Sequence, residues 1–169
     1  MTFFSMADSS PMMTAAVLTV SDSCARGERE DRSGPAVSEL LTRLKFSVVS
    51  AEIVSDDSIQ IQNCLIRLAR SVHLVVTTGG TGIAPRDVTP EATAAVCEKL
   101  LNGVAERMRA QGLKKTPFAA LSRGVCGTRG RALIINLPGS PSGSVESLES
   151  IADLLPHAID LLNGKTEHT

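Results

Sequence analysis

The chain has 169 residues, of which 43% are hydrophobic and 21% charged, and this size and balance predict a single soluble domain with a full core. Aromatic residues make up only 2%, with no Trp or Tyr, so the chain lacks the aromatic platforms on which nucleic-acid binders stack bases. Its 17 basic and 18 acidic residues leave a formal net charge of −1, which provides no positive field for DNA or RNA.

The first part of the chain alternates between strand and helix patterns. Residues 1–13 carry no basic segment or long apolar run and are expected to be a disordered lead-in, with a single domain at 14–164. Short apolar, β-branched runs predict strands, and apolar residues at helical spacing predict helices. The predicted strands are 15–20, 46–54 and 73–78, and the predicted helices are 33–44, 55–70 and 89–100. Ser33 and Thr89 are the expected N-caps.

The second part of the chain continues the alternation less regularly. Residues 101–118 predict a helix followed by a loop, and 131–139 contain a strongly apolar strand. Residues 142–162 show helical spacing, with Pro156 expected to kink or restart the helix. The last residues, 165–169, are predicted to be a tail. The overall pattern favours a doubly wound α/β fold, with a mainly parallel sheet and helices on both faces.

Polar segments follow each predicted parallel strand, where ligands bind in such sheets. Ser21 and Asp22 follow the first strand, residues 55–57 the second, "GGTGIAPRD" the third, and "PGSPSGS" the last. Each segment alone is explained by helix caps and turns. Because all four are expected at one edge of the sheet, together they predict a binding site to which Ser21 and Asp22 contribute.

The glycine-rich segment after the third strand lacks both the dinucleotide-binding spacing and a Walker lysine. Its glycines nevertheless allow backbone N–H groups to approach an anion closely. A carboxylate at Asp87 would repel a polyphosphate unless a cation such as Mg²⁺ lay between them, with Asp56 or Asp57 as the second carboxylate. The alternative is that Asp87 forms a structural ion pair with Arg86.

Other reactive side chains show no catalytic or metal-binding pattern. The four cysteines are widely spaced, which disfavours zinc and predicts free thiols in a reducing, cytoplasmic setting. His73 and His157 are expected to be structural or surface residues, and no G-x-S-x-G element supports a hydrolase triad. No apolar run reaches the ~18 residues of a membrane span, so no membrane partner is expected.

Seven motifs occur in order along the chain, namely "VLTVSDS", "EDRSG", "TTGGTG", "PRDVTPEAT", "LSRGVCGTRG", "LIINLPGSPSGS" and "LPHAIDLL". Together they resemble the molybdopterin adenylyltransferase family of the MogA type, which includes the G domain of gephyrin. The resemblance covers residues 15–162. It implies a homotrimer that transfers AMP from the co-substrate ATP to molybdopterin, with Mg²⁺, and passes the product to a molybdenum-insertase domain or protein.

The resemblance also assigns roles to individual residues. Asp87 and Asp56 match catalytic, metal-binding acids, although the family's usual "VPD" reads "VSD" here, which leaves Asp57 as an alternative. Ser122 matches a serine that contacts the pterin phosphate. The remaining matches are to the nucleotide-binding loop, Gly79, Gly80, Thr81 and Gly82, and to a second loop, Pro138, Gly139 and Ser140.

Three other functions compete with catalysis. The chain could act as a trimeric scaffold without enzyme activity, as in a clustering protein. It could instead be a pterin-binding module with little turnover, or a regulatory domain that binds nucleotide. Release of pyrophosphate from ATP in the presence of molybdopterin distinguishes these functions from an adenylyltransferase.

Overall fold

The computed structural model describes residues 11–166, so most of the predicted lead-in and residues 167–169 of the predicted tail lie outside the described chain. The strands are β1 (Thr14–Val20), β2 (Ser47–Val54), β3 (Leu74–Thr78), β4 (Lys99–Leu100), β5 (Cys126–Arg129) and β6 (Ala132–Leu137). The α-helices are α1 (Asp22–Ala25), α2 (Ser33–Arg43), α3 (Ser58–Ala69), α4 (Thr89–Val96), α5 (Asn102–Leu113), α6 (Pro141–Ile151) and α7 (Leu155–Leu162). Single 3₁₀ turns occupy Pro117–Leu121 and Ala152–Leu154.

The strands form one sheet in the order β2-β1-β3-β6-β5-β4. The pairs β1–β2, β1–β3 and β3–β6 are parallel, whereas β5 and β4 add antiparallel pairs at one edge. The predicted α/β class with a mainly parallel sheet is therefore confirmed. The antiparallel edge was not predicted, because β4 has two residues and β5 reads "CGTR", too short and too polar for a recognisable strand pattern.

Helices cover both faces of the sheet, and alternate strand residues point to opposite faces. On one face, Val17, Val76 and Ile135 belong to a core shared with α2, α5, α6 and α7. On the other face, Leu18 and Ile134 pack with α3 and α4. Because both faces are covered, β1, β3 and β6 are buried along almost their whole length, and most of their residues are apolar, as the sequence indicated.

Two predicted helix starts are wrong by one position. Ser33 is the first residue of α2 rather than its N-cap, and the carboxylate of Asp31 accepts the Gly34 N–H at 3.0 Å. Thr89 is likewise the first residue of α4, and its hydroxyl donates to the carbonyl of Gly79 at 2.9 Å. Both hydroxyls face the sheet edge, where tertiary partners replace the local capping bond.

Two further predictions concern helix ends. The helix predicted at 89–100 stops at Val96, because the chain turns there to add β4 beside β5. The terminal helix does restart near Pro156, since a 3₁₀ turn separates α6 from α7. Within residues 11–166, no helix combines the length and apolar character needed to cross a membrane.

Candidate active site at the carboxyl edge of the sheet

The carboxyl ends of β2, β1, β3 and β6 lie side by side, so the four polar segments meet at one edge. The chain changes its direction of winding between β1 and β3, which is where ligands bind in open α/β sheets. A cleft of about 800 Å³ opens there, and we call it the acidic cleft. It is lined by Ser21, Asp56, Gly79, Gly80, Asp87, Gly139 and Ser140, among others.

The glycine loop, residues 79–88, is shaped by close backbone approaches. Gly79 and Gly80 have φ angles of +90° and +68°, which disfavour any side chain. A Cβ on Gly79 would lie 2.4 Å from the carbonyl oxygen of Val20, and one on Gly80 would lie 2.3 Å from Oγ1 of Thr89. The glycines therefore allow β3 to pass directly into a loop whose bare backbone faces the cleft.

The rest of the predicted loop is placed differently. Thr81 is buried, and its carbonyl oxygen accepts the backbone N–H of Arg123 at 2.9 Å. Gly82 lies beside Asp87, since a Cβ there would be 2.8 Å from Asp87 Oδ2. Only Gly79 and Gly80 of the four loop residues line the acidic cleft. Thr81 and Gly82 instead accept hydrogen bonds from Arg123 through their carbonyl oxygens.

Asp56 and Asp22 tie the ends of β2 and β1 together by reciprocal hydrogen bonds. The Asp22 N–H donates to Asp56 Oδ2 at 2.8 Å, and the Asp56 N–H donates to Asp22 Oδ1 at 3.0 Å. The carboxylate of Asp57 points elsewhere, because it caps α3 by accepting the Gln60 N–H at 2.9 Å. Of the two candidates for a second carboxylate, Asp56 is the one that lines the cleft.

Arg86 pairs with Asp22 and not with Asp87. Its Nε and Nη2 each donate to one carboxylate oxygen of Asp22 at 2.9 Å, a bidentate geometry. The Asp87 carboxylate instead accepts the Ala84 N–H at 2.9 Å within its own loop. The alternative of an Arg86–Asp87 ion pair is therefore wrong. The carboxylate of Asp22, predicted to bind ligand, is already engaged by Arg86.

The carboxylates of the cleft influence each other's protonation. Burial raises the pKa of Asp56, and the negative charges of Asp22 and Asp87 raise it further, against the lowering effect of the Asp22 N–H. The hydrogen bonds from Arg86 lower the pKa of Asp22. Asp56 is thus a partly desolvated acid repelled by two neighbours, an environment that a bound cation would relieve.

A divalent cation in the cleft would have few protein ligands. The described residues 11–166 hold no group of three or more His, Cys, Asp or Glu side chains arranged for a metal. Asp56 and Asp87 could supply two carboxylates, and oxygen atoms of a bound phosphate and of water would complete the shell. This donor set fits Mg²⁺, which is usually held by one or two carboxylates plus substrate phosphates.

The second predicted loop lies directly beside the first at the edge of the sheet. The Gly79 N–H donates to the carbonyl of Leu137 at 3.1 Å, and a Cβ on Gly139 would lie 3.3 Å from the Cα of Gly79. Ser140 caps α6, its hydroxyl accepting the Gly143 N–H at 3.1 Å. The two predicted anion-binding loops are therefore in contact.

Ser122 lies outside the acidic cleft. It lines a second pocket of about 460 Å³ between α5, the 3₁₀ turn Pro117–Leu121 and α6, which we call the helical pocket. Met108, Phe118 and Pro138 give this pocket apolar walls. Because Ser140 lines both cavities, they adjoin at the start of α6.

Sequence reasoning missed several residues of this region. The loop at 28–32 lines the acidic cleft with Arg29, Glu30, Asp31 and Arg32. Asp31 anchors this loop by accepting the Thr19 hydroxyl at 2.7 Å. The charged residues of the "EDRSG" motif were visible in the sequence. Because most charged loops are simply exposed to solvent, the motif did not indicate a binding role until the fold placed it at the cleft.

The structure confirms the predictions of a structural His73 and of free cysteine thiols. His73 lies at the opposite end of β3 from the cleft, and its Nδ1 accepts the Thr14 N–H at 3.0 Å. All four cysteines are free thiols. Burial raises the pKa of Cys97 to about 11 and that of Cys126 to about 12, so these two thiols stay protonated and unreactive.

Comparison with known proteins gives a consistent set of relatives. Residues 16–157 match a family described as "probable molybdopterin binding domain". The molybdopterin adenylyltransferase of Helicobacter pylori strain J99 is 45% identical over 152 residues, which cover 88% of this chain and 86% of that enzyme. The Drosophila melanogaster molybdenum cofactor synthesis protein cinnamon is 41% identical over 153 residues, 89% of this chain but 26% of that longer protein.

The fold has equally similar counterparts. The crystal structure of the molybdopterin biosynthesis enzyme MoaB from Thermus thermophilus matches with a TM-score of 0.86 and 50% sequence identity. The match covers 91% of this chain and 98% of that one. The similarity therefore includes both the strands that present the acidic cleft and the helices that form the helical pocket.

Proposed function

This chain belongs to the family of probable molybdopterin binding domains, and we propose that, like its curated relatives, it is a molybdopterin adenylyltransferase of molybdenum cofactor biosynthesis. In the reaction proposed, a phosphate oxygen of molybdopterin bonds to the α-phosphorus of ATP. The bond from that phosphorus to the bridging oxygen breaks, and pyrophosphate leaves. The products are adenylyl-molybdopterin and pyrophosphate.

One observation supports this proposal beyond the family match, namely that two cavities of different character adjoin at Ser140. A transfer between two substrates requires adjacent sites that hold the reacting atoms together. The acidic cleft offers backbone, carboxylates and arginines for a triphosphate. The helical pocket offers apolar walls and the Ser122 hydroxyl for a pterin that carries a phosphate.

The acidic cleft is assigned to ATP. The bare backbone of Gly79 and Gly80 allows phosphate oxygens to approach closely, and Arg29 and Arg32 line the same cleft beside Glu30 and Asp31 of their loop. Asp56 and Asp87 would hold Mg²⁺, which neutralises phosphate charge when bound. The side chains need supply no strong base, because the attacking phosphate is already an anion, so their role is positioning and electrostatic stabilisation.

A matched pair of variants tests this assignment. Wild-type protein incubated with ATP, Mg²⁺ and molybdopterin is expected to release pyrophosphate. Asp56→Asn keeps the acceptor for the Asp22 N–H but loses the charge, so turnover should fall by about 10²- to 10³-fold. Asp57→Asn alters the adjacent carboxylate, which caps α3, and Asn is an equally good cap, so turnover should change little.

The outcomes separate the alternatives. Tight molybdopterin binding without pyrophosphate release would favour a pterin-binding module or a scaffold. ATP binding without molybdopterin binding would favour a nucleotide-binding regulatory domain. Equal loss of turnover in both Asp variants would contradict the role given to Asp56.

We extend the proposal to assembly and cellular setting. Val49 and Ile53 are 57% and 46% exposed on the edge strand β2, and an apolar row on an edge strand suits a subunit contact. A homotrimer is the assembly proposed, measurable as the mass in solution by light scattering.

The free thiols suit a location in the cytoplasm. The length of the Drosophila relative fits a molybdenum-insertase domain or protein as the partner that receives the product.

A further inference from the structure

The segment 122–124, which we call the strap, lies between the glycine loop and α5. From the strap, the backbone N–H of Arg123 donates to the carbonyl of Thr81 at 2.9 Å. The Arg123 side chain donates from Nε to the carbonyl of Gly82 at 2.8 Å and from Nη2 to the carbonyl of Asp87 at 2.9 Å. Its Nη1 binds the carboxylate of Glu91 in the first turn of α4.

The glycine loop has few other ties to the rest of the chain at its centre. The Asp87 N–H donates to Ala84 and the Ala84 N–H to Asp87, so these bonds are local. Arg86 reaches outward to Asp22, but its side chain is 66% exposed. The Arg123 side chain is 37% exposed and binds both ends of the stretch 82–87. Its guanidinium therefore joins the two ends of this stretch beside Asp87.

The other side of the strap belongs to the helical pocket. Ser122 and Gly124 line that pocket, and Nη1 of Arg109 on α5 donates to both of their carbonyl groups, at 3.4 and 3.1 Å. The strap is thus held by Arg109 from one side and joined to the glycine loop by Arg123 on the other. It therefore connects the helical pocket, which Ser122 and Gly124 line, to the glycine loop, whose Gly79, Gly80 and Asp87 line the acidic cleft.

We propose that Arg123 is a positioning residue that sets the geometry between the ATP and molybdopterin sites. A guanidinium group that donates to two loop carbonyls and a carboxylate in fixed directions holds the loop at a defined distance from Ser122. In-line transfer depends on that distance, because a displacement of about 1 Å can cost about 100-fold in rate. This inference rests on the proposed function, since it concerns the relative positions of the two substrates, ATP and molybdopterin.

Arg123→Met tests the inference with a side chain of similar length. The backbone bond to Thr81 remains, so the chain should fold, while three side-chain contacts are lost. We expect kcat to fall about 100-fold with the KM values for ATP and molybdopterin within about threefold. Hydrogen exchange of the amides at 82–88 should accelerate about tenfold. Arg107→Met, which removes an exposed ion pair with Asp153, is the matched control and should change neither quantity.

Arg123→Lys provides a second variant that keeps the charge but cannot donate in three directions. Its kcat should lie between those of wild type and Arg123→Met. Wild-type kcat in either variant would overturn the inference, as would a kcat loss without faster exchange of the glycine loop, which would indicate direct substrate contact. If wild-type protein forms no adenylyl product, the proposed function fails, whereas the exchange measurement still decides whether Arg123 holds the loop.

Discussion

The acidic cleft and the helical pocket share Ser140 but are built in different ways. The cleft is made of backbone and short polar side chains at the ends of parallel strands, with Asp56 and Asp87 fixed by hydrogen bonds from N–H groups. The pocket is made of longer side chains on two helices and a 3₁₀ turn, among them Met108 and Phe118. The cleft is therefore charged and shaped by backbone hydrogen bonds, whereas the pocket is shaped by side-chain packing.

This difference predicts different kinetic effects. Changes in the cleft should alter the charge and geometry of transfer and so lower kcat. Changes in the pocket should remove contacts with a bound substrate and so raise one KM. A substitution that produced the opposite effect would break the distinction between the two cavities.

The largest effect is expected for Asp87→Asn. The amide oxygen can still accept the Ala84 N–H, so the loop keeps its shape, while the charge that would hold Mg²⁺ is lost. We expect pyrophosphate release to fall about 10³-fold, with a thermal midpoint within about 2 °C of wild type. Near-wild-type turnover in this variant would remove Asp87 from the mechanism.

Gly80→Ala should damage both stability and turnover. At φ +68°, its Cβ would lie 2.3 Å from Oγ1 of Thr89, so loop or helix must shift. We expect the free energy of unfolding to fall by about 1–3 kcal/mol in urea titrations, with a lower kcat. Gly103→Ala is the control, because its Cβ would meet nothing within 4 Å, and its stability should be unchanged or slightly higher. Equal behaviour of the two variants would mean that the glycine loop tolerates displacement.

Phe118→Ala should affect one substrate only. The ring is 75% exposed and lines the helical pocket, so it is free to cover a bound pterin. We expect the KM for molybdopterin to rise about tenfold, on the order of 1.4 kcal/mol of lost contact, with the KM for ATP unchanged. Leu161→Ala, on α7 and outside both cavities, should leave both KM values unchanged. A rise in the KM for ATP instead would reverse the assignment of the cavities.

The smallest effect concerns pH. Because the pKa of Asp56 is raised above 3.8 in the fold, the folded protein binds a proton more tightly than the unfolded chain. The free energy of unfolding therefore falls as pH rises from about 3.8 through the folded pKa, by less than about 1 kcal/mol because Asp56 is only partly buried and solvent still screens its charge. Asp56→Asn should lose this component, measurable from urea unfolding of both proteins without metal between pH 4 and 6. If the free energy of unfolding changed equally with pH in the two proteins, the fold would not be raising the pKa of Asp56.

Much of the acidic cleft was predictable because its residues follow strands directly. The apolar runs before Ser21, Asp56, Gly79 and Pro138 identify parallel strands, and the topology then brings their ends together. The helical pocket was not predictable in the same way. Ser122 came only from a family resemblance, since it follows a 3₁₀ turn with no strong local pattern.

The sequence by itself determined the strand and helix alternation, the sheet edge that carries the polar segments, and the family. The tertiary structure alone decided the partners of the charged groups. Arg86 binds Asp22, 64 residues away, rather than its neighbour Asp87, and Arg123 binds a loop about 40 residues before it. Hydrophobic periodicity is a local property and is readable in the chain, whereas ion pairs form between whichever groups the folded backbone places within reach.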